Sequence, residues 1–181
     1  MTKLLKFTLS LFTLFMIIDN ANAQKQLFPI IKNYGGVYDI KEATVKPDTS
    51  LIYNIAIEIK SPAENNQQLS EWINNVARMI NLHAVGGVPA NHLNVVVIFH
   101  GKASDVVMND EAYHEKYMVS NPNRKIIEEL KAANVKLIVC GQSLIGRKIP
   151  VESLLKEVDV ATSFLTTITT YQLKGYAHLT F

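Results

Sequence analysis

Seven residues, Leu93–Phe99 (LNVVVIF), carry one polar side chain, Asn94, among six apolar ones. A run this short, bounded and rich in β-branched residues reads as a strand covered on both faces. Val135–Cys140 (VKLIVC) has the same character. Strands buried on both sides belong to parallel sheets, whose crossover connections lay helices over the faces. These two runs therefore constrain the fold more than any other feature.

The rest of the sequence supplies the alternation that such a sheet needs. Leu51–Ile59 (LIYNIAIEI) reads as the first strand. Leu69–Val85 places Trp72, Val76, Met79, Ile80 and His83 near helical spacing, and Gly86-Gly87 stops that helix. His100 to Asn123 is a long connection with room for a short helix around Val106 or Ala112. Arg124–Ala133 is a helix with Ile126, Ile127 and Leu130 on one side and Asn134 at its end. Short helices are expected at Ser143–Ile145 and Val151–Lys156, and a fourth strand at Val158–Ala161. A threonine-rich helix at Ser163–Gly175 and a last strand at Tyr176–Phe181 complete the pattern. The expectation is an α/β domain over 51–181, preceded by a lead-in at 24–50 that contains Pro29, Gly35-Gly36 and Pro47.

Residues 1–23 read as something else. Lys3 and Lys6 precede a nearly continuous apolar stretch, Phe7–Ile18, which ends at Ala21-Asn22-Ala23. A basic start, a short apolar core and a small-x-small finish make a cleavable export signal. The core is shorter than the roughly 20 residues of a membrane span, so no membrane anchor is expected. A periplasmic or secreted protein is.

The formal net charge of +2 over 181 residues leaves no basic footprint for nucleic acid. The five histidines, at 83, 92, 100, 114 and 178, form no i, i+4 pair, so no zincin site is expected. With one cysteine, a structural zinc site is not expected either, and no other cofactor is indicated.

That cysteine is Cys140. In an exported chain it cannot form an internal disulfide, and an exposed lone thiol is a liability unless used or protected. It stands where the second buried run turns into a short helix. Ligands in parallel sheets gather beyond the carboxyl ends of strands, and N–H groups at a helix start favour an anion. A thiol there reacts as thiolate. Gly141 permits the tight turn, and if the thiol is displayed, the N–H groups of Gln142 and Ser143 would steady its thiolate or persulfide. The competing reading makes Cys140 a small buried residue, as free cysteine often is. His100-Gly101 occupies the matching position after Leu93–Phe99, where an imidazole can hold an anionic ligand or move a proton. Tyr113 is a further candidate for the pocket wall. Gly141–Gly146 (GQSLIG) fails as a serine nucleophile elbow because Ile145 stands where that motif needs glycine.

Three stretches carry a family resemblance: NVVVIFHGKASDVVMNDEAY, NPNRKIIEELKAANVKLIVCGQSL and VATSFLTTITTYQLKGYAHLTF. Across Ile52–Phe181 the chain resembles the DsrE/DsrF-like family. The resemblance implies a five-stranded, mainly parallel sheet with helices on both faces. It implies assembly as trimers, hexamers or hetero-oligomers. Some members accept a persulfide on a cysteine and pass it to a partner protein, a role that lands here on Cys140. Two readings follow. One is an exported thiol-based sulfur carrier that uses Cys140 with a donor or acceptor protein. The other is a non-catalytic oligomeric module whose strand-end pocket binds a small ligand, with Cys140 only a wall.

Overall fold

A computed structural model describes residues 24–181; the expected export signal lies outside the described residues. Five strands form one sheet: β1 (Tyr53–Ile59), β2 (Leu93–Phe99), β3 (Lys136–Cys140), β4 (Asp159–Ala161) and β5 (Ala177–Thr180). Their order is β4-β3-β2-β1-β5, and all four pairings are parallel. β2 coincides with the apolar run that predicted it. β1 begins two residues later than expected, after the exposed Leu51 and Ile52.

The connections are α1 (Glu71–Val85), α2 (Asp110–Tyr117), α3 (Arg124–Ala132), α4 (Gly141–Arg147) and α5 (Phe164–Leu173). The long connection after β2 holds both of the elements between which the sequence left a choice. One is a 3-10 segment at Gly101–Val107, and the other is α2, whose start Asn109 caps by accepting the Ala112 N–H. The expected helix at Val151–Lys156 is shorter, a 3-10 turn at Val151–Ser153.

Strand order decides which face each helix covers. From β1 to β4 the chain steps in one direction, and right-handed crossovers place the intervening helices on one face. The return from β4 to the far edge places α5, alone among the helices of the described residues, on the other. Two cores result. The larger contains Ile73, Val76, Ile126, Ile127, Leu130, Phe99, Val139 and Leu144. The smaller sets Ile168 of α5 on Ala56, Val96, Ile98 and Ile138, with Phe164, Tyr171 and Tyr176 packed around it. Alternate residues of one strand thus serve different cores: Phe99 and Val139 face the four helices, Ile98 and Ile138 face α5.

The lead-in lies along α1, its first part closed by a bridge between Leu27 and Val37. Ile31 and Val37 are buried, and Asn81 of α1 fastens this segment through its amide. Asn81 Oδ1 accepts the N–H groups of Ile30 and Ile31, and Nδ2 donates to the carbonyls of Ile31, Tyr34 and Gly35. A fully buried amide requires that saturation.

Candidate functional site

The parallel register aligns the carboxyl ends of the three central strands. Phe99 pairs with Val139, so His100 and Cys140 are the next residues on neighbouring strands. They continue the side alternation of Ile98 and Ile138 and so face α5. Glu58 of β1 pairs with Ile98 on one side and Thr180 on the other, and it lies on the same face. The result is a row across the sheet: Cys140, His100, Glu58, Thr180.

Glu58 organises one end of this row. Its Oε1 lies 2.8 Å from His100 Nε2, and its Oε2 lies 3.0 Å from Thr180 Oγ1 and 3.4 Å from His178 Nε2. Burial raises the Glu58 carboxyl, but hydrogen bonds from His100 and Thr180 and the charges of both imidazoles outweigh it. The group sits below the ordinary carboxylate range. The His100 ring stacks on Phe164, with centroids 4.1 Å apart and 12° between planes.

Cys140 is the residue before α4, extended at φ −73° and ψ 115°. Its side chain is buried, with 4% of the residue exposed. Burial pushes the thiol up. Hydrogen-bonding from the Ser143 hydroxyl and from the N–H groups of Phe164, Ser143 and Gln142 pulls it down, and the balance falls below the ordinary value. Such donors are weak partners for a thiol and strong ones for a thiolate, so they stabilise the charged form. The Ser143 hydroxyl also reaches the neighbouring turn, where its Oγ accepts the Gly101 N–H at 2.9 Å. Gly101 adopts φ +55°, a left-handed conformation that glycine takes without a steric penalty. Gly141 is confined, since a Cβ there would come 2.8 Å from the Ala161 carbonyl oxygen.

The structure therefore gathers His100, Gly101, Cys140, Gly141, Gln142 and Ser143 at one end of the sheet. It does not bring Tyr113 to them. Tyr113 lies in the larger core, 2% exposed, and its hydroxyl donates to the Asn66 carbonyl. Its pKa is pushed up to about 12 by burial, with the Asp105 charge adding to it. The reason is the helix face: α2 follows the 3-10 segment onto the side of the sheet opposite α5. Arg147, near Cys140 in sequence, is also directed away. It ends α4 on the buried Asp105, at 2.6 Å, where Lys116 and Tyr117 also bind.

Four members of the site were not anticipated: Glu58, Phe164, His178 and Thr180. Glu58 had a legible signal, as the one charged residue of β1. Phe164, His178 and Thr180 had none, because their membership depends on the crossover of α5.

A parallel α/β domain with a buried free thiol at a strand end is the class this geometry defines. A family model described as DsrE/DsrF-like matches residues 54–181, and the chain belongs to that family. Two solved structures share the fold. A protein of unknown function from Methanobacterium thermoautotrophicum, MTH1491, is 21% identical with a TM-score of 0.52, covering 71% of this chain and 98% of its own. The ychN protein from E. coli is 22% identical with a TM-score of 0.53, covering 71% and 99%. No curated protein matches.

Proposed function

We propose that the protein is an exported carrier of sulfane sulfur, with Cys140 as the acceptor. The observation that carries this reading is the position of Cys140, at the carboxyl end of β3 and the start of α4, beside His100 in strand register. Membership in the DsrE/DsrF-like family supports it. In the transfer, the Cys140 thiolate attacks the terminal sulfur of a donor persulfide. A bond forms between Sγ and that sulfur, and the donor's S–S bond breaks. The donor leaves as a thiolate with the electron pair, so there is no net oxidation. In this reading backbone N–H groups at the start of α4 steady the thiolate and the persulfide anion, and a partner thiol removes the sulfur by the same exchange. Action outside the cytoplasm rests on the sequence of residues 1–23.

Assembly into a homo-oligomer belongs to the same proposal. α5 alone covers its face of the sheet, and its outer side leaves Leu165 71% and Leu173 90% exposed. β5, at the sheet edge, is exposed along its length. A neighbouring subunit would cover both.

The second reading is favoured by one observation, the 4% exposure of Cys140. There the strand ends bind a small ligand and the sulfur is part of the wall. Treating the native protein with inorganic polysulfide separates the two. A gain of about 32 Da on Cys140, one sulfur atom, reversed by a thiol, supports the carrier. An unmodified cysteine in folded protein leaves the binding module.

A further inference from the structure

Cys140 is almost fully buried at the carboxyl end of β3, next to His100. The turn from β4 into α5 packs against this end of β3: a Cβ on Gly141 would meet the Ala161 carbonyl oxygen at 2.8 Å. The Phe164 ring in turn lies flat on His100, 4.1 Å between centroids. His100 is held from behind by Glu58 at 2.8 Å, and Glu58 is itself braced by Thr180 at 3.0 Å. A path of contacts thus runs from Glu58 through His100 to Phe164, and Cys140 stands next to His100 on the neighbouring strand. Phe164 is only half-buried, so its outer side borders solvent. α5 carries no charged side chain, and the ring is seated by packing alone.

We propose that Phe164 is the specificity-determining residue of the thiol site, a gate over Cys140 whose seat is the His100–Glu58 pair. It admits small, linear sulfur compounds and excludes bulky ones. Glu58 acts as a positioning residue: it fixes the imidazole plane on which the phenyl ring rests. Small movements of one aromatic ring open a path to the sulfur for a reagent the width of a chain of sulfur atoms. A branched or aromatic thiol needs the start of α5 to move as well. The inference rests on Cys140 being a reactive thiol, and it names the substrates that thiol can meet.

The experiment compares two reagents with the same reactive group, methyl methanethiosulfonate and benzyl methanethiosulfonate. The rate of Cys140 modification is read by mass spectrometry in the full native chain, with denatured protein as the intrinsic reference. The native protein is expected to prefer the small reagent by about tenfold or more over the denatured ratio, the scale on which packed pockets discriminate. Phe164→Ala should return the ratio to the denatured value. Phe164→Leu, which keeps an apolar cover, should lower it part of the way. Glu58→Gln should also lower it while Glu58→Asp restores it, with unchanged circular dichroism in each; a merely structural loss would speed both reagents alike. A native ratio equal to the denatured one overturns the gate, as does a ratio indifferent to both Phe164 variants or a sulfur that neither reagent reaches before unfolding. Persulfide formation is scored separately. A discriminating gate without polysulfide uptake removes the carrier reading alone, and uptake without discrimination removes the gate alone.

Discussion

The Gly101 N–H donates to the Ser143 hydroxyl across 2.9 Å, and that hydroxyl serves the Cys140 sulfur. One oxygen thereby ties the turn after β2 to the turn after β3 and draws the neighbouring thiol below its ordinary value. Ser143→Ala removes both links. The apparent pKa of Cys140, read from the pH dependence of its alkylation by iodoacetamide, should lie below the free-thiol value of about 8.5 in the native protein. The substitution should raise it and slow labelling at pH 7. A profile that Ser143→Ala leaves in place would mean that the backbone N–H groups suffice.

Gly101 itself sits at φ +55° with ordinary contacts around the position of a Cβ. Gly101→Ala is therefore a test of backbone strain rather than of crowding. It should cost about 1–2 kcal/mol, measurable as a drop in the urea midpoint at unchanged slope.

Asp105, 3% exposed, holds Arg147 and Lys116 by ion pairs and accepts from Tyr117. Burial raises its carboxyl, but these partners outweigh it and set the folded value below 3.8. A depressed carboxyl stabilises the fold above its unfolded value of about 3.9. That contribution fades as pH falls through the unfolded and then the folded value. Asp105→Asn should lower stability at pH 7 by roughly 3 kcal/mol, the cost of removing the buried partner of an ion pair. It should also flatten the loss of stability below about pH 4. Denaturant melts of both proteins from pH 2 to 8 check the sign.

Asn81 makes five hydrogen bonds from a fully buried position. Asn81→Ala leaves buried backbone groups of the lead-in without partners, each worth about 1–3 kcal/mol. The lead-in should loosen first, so limited proteolysis between Leu27 and Val37 should accelerate before the midpoint of global unfolding shifts by a comparable amount.

The outer side of α5 carries the proposed subunit contact. Light scattering at micromolar concentration should give a mass above the monomer for the wild type. Leu165→Glu with Leu173→Glu should bring it down. A clean wild-type monomer would sink the proposed assembly.

Much of the architecture was written locally. The buried strand β2 needs an unbroken apolar stretch, and the segment Leu93–Phe99 has one. The helix α3 needs Ile126, Ile127 and Leu130 on one side, and all three are buried there. Cys140 and His100 stand at strand ends because the apolar runs stop at them, which the chain announces without any tertiary information. The failures were of direction. Tyr113 was close enough in sequence to His100 to suggest a shared pocket, yet the connection between them carries it to the other face.

By itself, then, the sequence determined an alternating α/β chain and where its buried strands end, because hydrophobic burial and turn chemistry act over a few neighbouring residues. Only the tertiary structure decided that Glu58, His178 and Phe164 join Cys140 and His100. Those meetings depend on strand order, register and the crossover of α5. Strand pairing across large sequence separations is fixed by the collective packing of two faces, which no short window of residues contains.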